Sequence, residues 1–315
     1  MGEFELIGRL FRPLAEITRQ EGVLLGPGDD CAIQRVPAGH DLVFSVDTLV
    51  EGVHFPGQYD PARLGWRALA VAVSDLAAMG ADPVCYTLAL TLPDADEAWV
   101  AALVSGLREA SLAFGVALAG GDITRGPLTL TLQVHGVVPE GQGILRSGAR
   151  PGDLVAVTGP LGGAAAALEW LDDPQPPSSV SPLLDCYHRP VPKIDTGRRL
   201  RGVASAAIDI SDGLAADLGH ILEASGVGAW LEAAAIPRRY GIAEASLEQA
   251  LYGGDDYQLC VTLPSPALPM LPGDVSKSLH VIGEIRSAEG LYLQHPDGAR
   301  ELLTTGTGYD HFKTE

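Results

Sequence analysis

The sequence predicts two α+β domains, each consisting of a sheet with helices packed on one of its faces. The length of 315 residues suits two domains of ordinary size, and the 46% of hydrophobic residues supply a sizeable core. Stretches with strand-like apolar patterns alternate along the chain with stretches of helical periodicity. The glycine-rich segment Pro139–Asp153 lies between the two halves and is predicted to be a hinge.

The first half opens with an amphipathic helix, because Ile7, Leu10, Phe11, Leu14 and Ile17 recur at helical spacing. Further strands and helices follow it in alternation. They are the strand Leu42–Val46, the helix from Asp60-Pro61 to Gly80, the strand Val84–Leu92, the helix from Asp94 to Phe114 with Asp94 and Glu97 as a capping box, the short strand Val116–Ala119 and the strand Leu128–Val138.

The second half continues with the same kinds of element. They are the strand Leu154–Thr158, the alanine-rich helix after Gly162-Gly163, the helix Lys193–Val203, the strand Ala206–Ile210, the helix that Ser211-Asp212-Gly213 caps and that runs to Ser225, and the strands Tyr257–Thr262, His280–Ile285 and Leu291–Gln294. Some of these strands have the pattern of antiparallel edge strands, which favours the α+β class.

The composition excludes some classes of partner. The chain has 40 acidic and 21 basic residues, a formal net charge of -19, which repels nucleic acid and anionic membranes. Its longest apolar stretch, Leu69–Leu92, is interrupted by charged residues, glycine and proline, so no membrane span is predicted. The N-terminus does not have the pattern of a signal peptide, and the four cysteines form no C-x-x-C pair. These features predict a cytoplasmic protein with reduced thiols.

Carboxylates recur beside glycines and other small residues. They are Asp29-Asp30 in the turn Gly26–Ile33, Asp47, Asp75, Asp122 after Gly120-Gly121, Asp209 with Asp212, and Asp255-Asp256 after Gly253-Gly254. Each has a structural alternative, such as a surface turn, a position near a helix end or a helix cap. Adjacent carboxylates repel each other unless a cation lies between them, and Mg2+ prefers carboxylate and phosphate oxygens. The repeated pattern therefore favours one cleft in which cations compensate for gathered carboxylates.

This pattern is typical of phosphoryl transfer, which depends on positioning and on neutralising a nucleotide polyphosphate. Asp47 and Asp209 are predicted at or near strand ends, where open sheets bind ligands, and Ser211 at a helix start, where free N–H groups attract phosphate. The chain contains no P-loop motif, no protein-kinase motif and no G-x-G-x-x-G after a strand. Metal ions are therefore expected to take the place of a phosphate-binding lysine.

Three single residues are further candidates for binding. His54 follows the Asp47 strand, Arg146 lies in the glycine-rich hinge, and Tyr309 lies in a glycine-flanked turn near the C-terminus. For His54 the alternative is a structural histidine, for Arg146 a solvated side chain and for Tyr309 ordinary packing. The functional interpretations are contact with the substrate, pairing with phosphate oxygens and a lid over a planar ring, respectively.

Eight long motifs occur in order and span nearly the whole chain. They are Gly28-Asp29-Asp30-Cys31-Ala32, Asp47-Thr48-Leu49-Val50 with His54-Phe55, the run Ser74–Pro83, the run Gly120–Gly126, Arg146-Ser147-Gly148-Ala149, the run Ile208–Leu214, Gly253-Gly254-Asp255-Asp256-Tyr257 and Gly308-Tyr309-Asp310-His311-Phe312. Together they resemble the thiamine-monophosphate kinases. That family is related to aminoimidazole ribonucleotide synthetase and selenophosphate synthetase.

The resemblance implies a fold of the aminoimidazole ribonucleotide synthetase type with two α/β-sandwich-like domains. Residues 1–145 would form the N-terminal domain, which binds metal and ATP and dimerises, and residues 146–315 the C-terminal α/β domain, which completes the ATP and substrate cleft. The resemblance also implies a homodimer whose N-terminal domains pair into a β-barrel. The implied reaction is direct transfer of the ATP γ-phosphoryl group to thiamine monophosphate, giving thiamine diphosphate and ADP, with several Mg2+ ions and no phosphoenzyme.

The resemblance assigns roles motif by motif. The implied Mg2+ ligands are Asp30, Ser45, Asp47, Asp75, Asp122, Asp209 and Asp212. The implied ATP contacts are Gly121, Asp122, Arg146 and Ser211. The implied contacts with thiamine monophosphate are His54, Asp255 and Tyr309. No general base is assigned, because the accepting phosphate oxygen is already anionic.

The sequence departs from the family pattern at a few positions. Val46 replaces a frequent threonine, Asp255 replaces a frequent glutamate, and the helix from Asp96 to Phe114 lacks a tyrosine that some members have. Two alternatives to the kinase are another ATP-dependent synthetase of the superfamily and a nucleotide-binding module without turnover. His54, the Gly-Gly-Asp-Asp-Tyr run and the Gly-Tyr-Asp-His-Phe tail favour the kinase over the synthetases. ATP binding without ADP formation would identify the module.

Overall fold

The computed structural model describes residues 2–306, which divide into two compact units. Unit 1 contains the residues up to 76 together with residues 81–142, and unit 2 contains residues 77–80 and the residues from 143 onward. The sequence placed the boundary after residue 145 and did not assign residues 77–80 to the second half. The Met79 carbonyl accepts a hydrogen bond from the Ile144 N–H (3.0 Å), which fixes this short segment within unit 2.

Unit 1 consists of a four-stranded sheet, a two-stranded ribbon and four helices. The elements are α1 (Glu3–Leu6), a π-helical turn (Ile7–Phe11), α2 (Arg12–Ile17), β1 (Val23–Leu25), β2 (Ile33–Gln34), β3 (His40–Val50), α3 (Pro61–Ala78), β4 (Asp82–Leu92), α4 (Glu97–Phe114), β5 (Ala117–Arg125) and β6 (Thr129–Pro139). The strand order in the sheet is β3-β6-β4-β5, with β4 and β5 parallel and the other pairs antiparallel. The strands β1 and β2 form the ribbon.

The sheet of unit 1 has one buried and one partly open face. Tyr86, Leu88 and Leu90 of β4 are buried, while the alternating Ala89 is exposed. Leu130 and Leu132 of β6 show the same period of two, as expected for a sheet covered on one side. The prediction of helices on one face is confirmed for this unit.

Three local predictions in unit 1 are wrong. The strand predicted to end at Val46 continues to Val50, because β6 pairs with all eleven residues of β3, so Asp47 lies inside the strand. The strand predicted to end at Ala119 continues to Arg125, so Gly120 and Gly121 lie within β5, where a Cβ on Gly121 would be 2.0 Å from the Leu88 carbonyl oxygen. The N-cap of α4 is Asp96 rather than Asp94, and its carboxylate accepts from the Ala98 and Trp99 N–H groups.

Unit 2 is built around a seven-stranded sheet with the order β15-β14-β9-β13-β7-β12-β8. Its elements are β7 (Asp153–Val157), α5 (Gly163–Ala167), α6 (Ser181–His188), α7 (Ile194–Leu200), β8 (Ala206–Asp209), α8 (Leu214–Ser225), β9 (Gly228–Glu232), β10 (Arg239–Tyr240), β11 (Ala243–Glu244), α9 (Leu247–Tyr252), β12 (Leu259–Pro264), α10 (Gly273–Ser278), β13 (His280–Arg286), β14 (Leu291–Gln294) and β15 (Arg300–Leu302). The strands β9 and β14 are parallel, and the other neighbours in the sheet are antiparallel.

The central strands of unit 2 are covered on both faces, which corrects the prediction of helices on one face. Val155 and Ile208 point into a core that includes Leu218 of α8. The alternating residues Ala156 and Ala207 point into a second core that includes residues of α7 and α10. Strands buried on both sides are nearly continuously apolar, and for that reason they lack the alternation that reveals a single buried face.

Among the described residues, no helix is both long and apolar enough to cross a lipid bilayer. The interrupted apolar stretch of the sequence accordingly forms parts of α3 and β4, which lie in the core of unit 1.

Candidate active site

One acidic cluster of unit 1 consists of Ser45, Asp47 and Asp75. The period of two along β3 places Ser45 and Asp47 on the same face of the strand. The Ser45 hydroxyl donates to the Asp75 carboxylate of α3 (2.5 Å). Burial, together with the neighbouring Asp75 carboxylate, raises the pKa of Asp47 to about 6. The cluster therefore combines hard oxygen donors with a negative potential that a bound cation would relieve.

His54 and the turn at Asp30 belong to the same unit. The Nδ1 atom of His54 accepts a hydrogen bond from the N–H of Val50, the last residue of β3 (3.0 Å). The neutral imidazole therefore carries its proton on Nε2, which can donate to an anionic ligand. In the turn, the Asp29 carboxylate accepts a hydrogen bond from the Asp30 N–H (2.8 Å) and so stabilises the turn. The Asp30 side chain is exposed to solvent.

Gly121 and Asp122 lie on β5, at the opposite edge of the sheet from β3. The ladders align Asp47 with Leu132, Leu132 with Leu88, and Leu88 with Gly121. Three strand spacings, about 14 Å, thus separate the backbones of Asp47 and Gly121. Within one chain, Asp47 and Asp122 are therefore too far apart to ligate the same ion.

In unit 2, two neighbouring loops bring together several of the predicted residues. Asp209 is the last residue of β8 and is buried, as predicted for a residue at a strand end. Ser211 and Asp212 follow directly. The Ser211 carbonyl accepts the Asp255 N–H and the Ile210 carbonyl accepts the Tyr257 N–H (both 2.8 Å). The loop that carries Asp255 is thereby attached to the loop that carries Ser211 and Asp212.

The loop around Asp255 has an unusual backbone. Asp255 has a φ of 63° and Tyr257 a φ of 50°, both in the left-handed region that L-residues rarely adopt. The Tyr257 hydroxyl donates to the Asp255 carboxylate (2.8 Å), which fixes the direction of that side chain. Strained conformations of this kind persist where the surrounding structure enforces them, and they concentrate at functional sites.

Two buried carboxylates, Asp217 and Asp256, support these loops. The sequence analysis counted Asp256 among the recurrent carboxylates but gave Asp217 no role. The Asp217 carboxylate of α8 accepts the Ser211 and Asp212 N–H groups (both 3.0 Å), and the Asp256 carboxylate accepts the Gly162 N–H (2.9 Å). Burial raises the pKa of Asp217 to about 8, although the hydrogen bond from the Asp212 N–H lowers it. Burial also raises the pKa of Asp256 well above its usual value. Asp217 could have been noticed in the sequence, because it is an aspartate on the otherwise apolar face of the predicted helix.

The contacts of Asp217 correct one prediction. The N–H group of Ser211 was expected to be free to attract phosphate, but it is bound to Asp217. The helix α8 begins after Gly213, which has no side chain, so Asp212 does not occupy the predicted N-cap position. The Ser211 side chain is exposed and the Asp212 side chain is partly buried, whereas the N–H groups of both residues are bound to Asp217.

The remaining candidates of the second half lie elsewhere. Arg146 is exposed, and its carbonyl accepts from the hydroxyl of Ser225 at the C-terminal end of α8 (3.4 Å). Ser211 lies before the N-terminal end of this twelve-residue helix, so its length, about 18 Å, separates the two segments. Tyr309 lies outside the described residues. Within residues 2–306, no group of three or more His, Cys, Asp or Glu side chains is arranged to hold a metal ion.

The two-domain organisation matches a known class of proteins. Residues 28–138 match the family model described as AIR synthase related protein, N-terminal domain. Residues 150–295 match the corresponding C-terminal domain. The acidic strands β3 and β5 lie in the first of these domains, and the loops that carry Ser211 and Asp255 lie in the second.

Relatives of known name narrow this class. The chain is 44% identical to the thiamine-monophosphate kinase of Escherichia coli (strain K12), with 99% of each chain covered. It is 33% identical to that of Bacillus subtilis, covering 99% of this chain and 100% of the relative. The chain therefore belongs to the thiamine-monophosphate kinase family.

Solved structures agree with this assignment. The crystal structure of thiamine-monophosphate kinase from Stenotrophomonas maltophilia is 39% identical, with a TM-score of 0.84 over 92% of this chain and 96% of that one. A structure described as AaThiL complexed with AMPPCP and TMP is 31% identical, with a TM-score of 0.78 over 99% of this chain and 97% of that one. A structure of the hydrogenase maturation protein HypE, 20% identical with a TM-score of 0.76, shares the fold.

Proposed function

We propose that this chain transfers the γ-phosphoryl group of ATP to thiamine monophosphate, forming thiamine diphosphate and ADP. The observation that carries this proposal is the similarity to named thiamine-monophosphate kinases over the full length of both chains. A relative that has been solved with AMPPCP and TMP supports the same pair of substrates. The names of these relatives favour the kinase over a ring synthetase, a selenophosphate synthetase or a binding module.

We further propose that several Mg2+ ions serve this reaction. Their ligands would be Asp30, Ser45, Asp47, Asp75, Asp122, Asp209 and Asp212. The donor set fits, because it consists of carboxylates and one hydroxyl, which suit a hard cation, and because Asp47 lies in the negative potential of Asp75. When bound, Mg2+ neutralises charge on the polyphosphate.

The other candidate residues would bind and orient the substrates. Gly121, Asp122, Arg146 and Ser211 would contact ATP, and His54, Asp255 and Tyr309 would contact thiamine monophosphate. In its neutral form His54 donates from Nε2, since Nδ1 is occupied by the Val50 N–H. The chain needs no general base, because the accepting phosphate oxygen is anionic. Its main tasks are to hold the two phosphates in line and to exclude water.

Measurement of ADP formation tests the proposed reaction. The wild-type protein should release ADP only when both Mg2+ and thiamine monophosphate are present. Asp47→Asn and Asp122→Asn should lose most of this turnover while keeping a folded circular-dichroism spectrum, because each removes a charged ligand and preserves shape. Full turnover in both variants would refute the assignment of these residues.

A homodimer is the second part of the proposal, and the outer face of β3 supports it. This edge strand exposes Leu42 (43%), Phe44 (61%) and Val46 (59%) along eleven residues. A long apolar edge strand is an unfavourable surface for a monomer, because it invites further strand pairing. A second copy that covers β3 would remove this surface. Phe44→Glu should therefore shift the protein from dimer to monomer in light scattering, whereas an unchanged dimer mass would contradict this interface.

The separation of Asp47 and Asp122 gives the dimer a role in the site. The two residues lie on opposite edges of one sheet, so a partner that brings its β5 edge beside β3 would supply Asp122 to the cluster at Asp47. Mixed dimers of Asp47→Asn and Asp122→Asn chains then contain one intact site out of two. With random mixing, half of the dimers are mixed, so about a quarter of the wild-type activity should return. No recovery in verified mixed dimers would refute the sharing of residues.

The location of the protein is a separate prediction. All four cysteines, Cys31, Cys85, Cys186 and Cys260, are free. Free thiols favour a reducing compartment, so the cytoplasm remains the predicted location.

A further inference from the structure

The turn Ser211–Gly213 connects β8 to α8, and the buried side chain of Asp217 binds two of its N–H groups. The Asp217 carboxylate accepts the N–H groups of Ser211 and Asp212 through the same oxygen, both at 3.0 Å. Asp217 is only 2% exposed and lies in the first turn of α8. Because Gly213 at the N-cap has no side chain, Asp217 supplies an acceptor from inside the helix.

The turn is also held on its carbonyl side. The Asp255 N–H donates to the Ser211 carbonyl and the Tyr257 N–H donates to the Ile210 carbonyl (both 2.8 Å), while the Ile210 N–H donates to the Gln258 carbonyl (2.8 Å). With N–H and carbonyl groups both bound, the direction of the main chain at Ser211 is fixed. The Ser211 side chain is then left exposed, which gives ligands access to it.

We propose that Asp217 is a positioning residue for nucleotide binding. It touches neither ATP nor metal, and it acts by fixing the directions in which the Ser211 hydroxyl and the Asp212 carboxylate project. This inference rests on the proposed binding of ATP and Mg2+ at those two side chains. The two N–H groups at the start of α8 would otherwise attract phosphate themselves, so Asp217 also commits the site to side-chain recognition.

To hold the Ser211–Gly213 turn, residue 217 must place an acceptor oxygen where the Asp217 carboxylate lies. Asp217→Asn keeps an oxygen at this place, whereas Asp217→Ala removes it and Asp217→Glu displaces it by one methylene. Residues that orient ligating side chains in this indirect manner typically change metal affinity or activity by about 10- to 100-fold when they are replaced. The Ala and Glu variants should therefore bind nucleotide at least about tenfold more weakly, and the Asn variant should recover most of the affinity.

Asp153 provides a matched control. It is also buried (5% exposed), and its carboxylate accepts the Arg150 N–H (3.0 Å) and the Ser205 hydroxyl (2.6 Å) at the start of β7. Asp153→Ala removes a comparable buried acceptor from unit 2 without touching the Ser211–Gly213 turn. Both alanine variants should lower the melting temperature, but only the replacement of Asp217 should weaken nucleotide binding.

The experiment measures the dissociation constant of a non-hydrolysable ATP analogue with Mg2+ by calorimetry, and the KM values for ATP and thiamine monophosphate in active variants. We expect Asp217→Glu to weaken analogue binding and raise the KM for ATP, with the KM for thiamine monophosphate within about twofold. Wild-type affinity in folded Asp217→Glu would overturn the proposal, as would an equal loss of affinity in Asp153→Ala or in Asp217→Asn. Asp217→Glu and Asp217→Asn keep the test decisive if the Asp217→Ala chain does not fold. Analogue binding is read without turnover, so absent kinase activity would count against the proposed function and not against this inference.

Discussion

We predict that Asp47→Asn stabilises the protein when no metal is bound, although it removes a charge that the proposed reaction uses. The pKa of Asp47 is raised from 3.8 to about 6, first by burial and then by Asp75. The folded state therefore holds this proton more tightly than the unfolded state does. The stability that the protonated carboxyl provides is present below pH 3.8 and is lost as the pH rises from 3.8 through about 6.

The size of the effect follows from the shift. About two pKa units correspond to about 3 kcal/mol of differential stability at neutral pH, and partial exposure of the side chain reduces this to about 1–3 kcal/mol. Asp47→Asn has no such loss, since its amide stays neutral. Its free energy of unfolding at pH 7.5 in EDTA should exceed that of the wild type by this amount, which corresponds to a rise in melting temperature of about 2 °C or more.

The assay is thermal unfolding of both proteins at pH 3.5 and pH 7.5, with EDTA and then with Mg2+ and an ATP analogue. The advantage of Asp47→Asn should be present at pH 7.5, should vanish at pH 3.5, and should shrink or reverse when metal and nucleotide bind. Asp172→Asn, which neutralises an exposed aspartate, serves as the control and should have little effect. A variant that is no more stable than the wild type in EDTA at pH 7.5 would refute this reasoning.

Two further predictions concern close contacts near the proposed binding residues. Gly121→Ala should destabilise unit 1 by about 1–3 kcal/mol or more in denaturant unfolding, because its Cβ would lie 2.0 Å from the rigid Leu88 carbonyl oxygen. Gly120→Ala, whose Cβ meets no atom within 4 Å, should be tolerated, and equal losses in both variants would contradict the structure. Tyr257→Phe removes the hydrogen bond to Asp255 and should raise the KM for thiamine monophosphate several-fold without changing that for ATP; equal changes in both would argue for a general loss of structure.

Several elements could be predicted from the sequence because their signals are local. Asp60-Pro61 starts α3, and Gly115 in the left-handed conformation ends α4 at Phe114. Caps and terminal glycines act within one turn of helix, so a single sequence contains the information. The position of Asp209 near the end of a strand was also predicted, because the serine, aspartate and glycine after Ile210 end the apolar run.

Two of the errors concern strands whose extent depends on distant partners, and a third concerns a nearby side chain. The strand β3 extends beyond Asp47 because β6, more than 70 residues later, pairs with its full length. Gly121 lies in a strand because β4 accepts β5 as a parallel neighbour at very close approach. The Ser211 N–H is occupied because the fold of α8 directs Asp217 back to the preceding turn. Neither strand pairing leaves a pattern in the local sequence, whereas the aspartate within the apolar face of α8 is a local signal for Asp217.

The candidate site shows the same division between residue types and their arrangement. The recurrent carboxylates and the family resemblance gave Asp47, Asp75, Asp212 and Asp255 as candidate residues. The residue types alone did not reveal that Asp122 lies at the far edge of the sheet from Asp47. Strand order is set by packing of the whole unit, so this distance became apparent only from the structure.

The central claim is the transfer of the ATP γ-phosphoryl group to thiamine monophosphate, and isotope transfer tests it most directly. Purified protein would be incubated with Mg2+, γ-labelled ATP and thiamine monophosphate, and the products would be separated. We expect the label in thiamine diphosphate, with ADP as the other product and no transfer in EDTA. Label that remains in ATP, or that appears only as free phosphate, would contradict the proposed function.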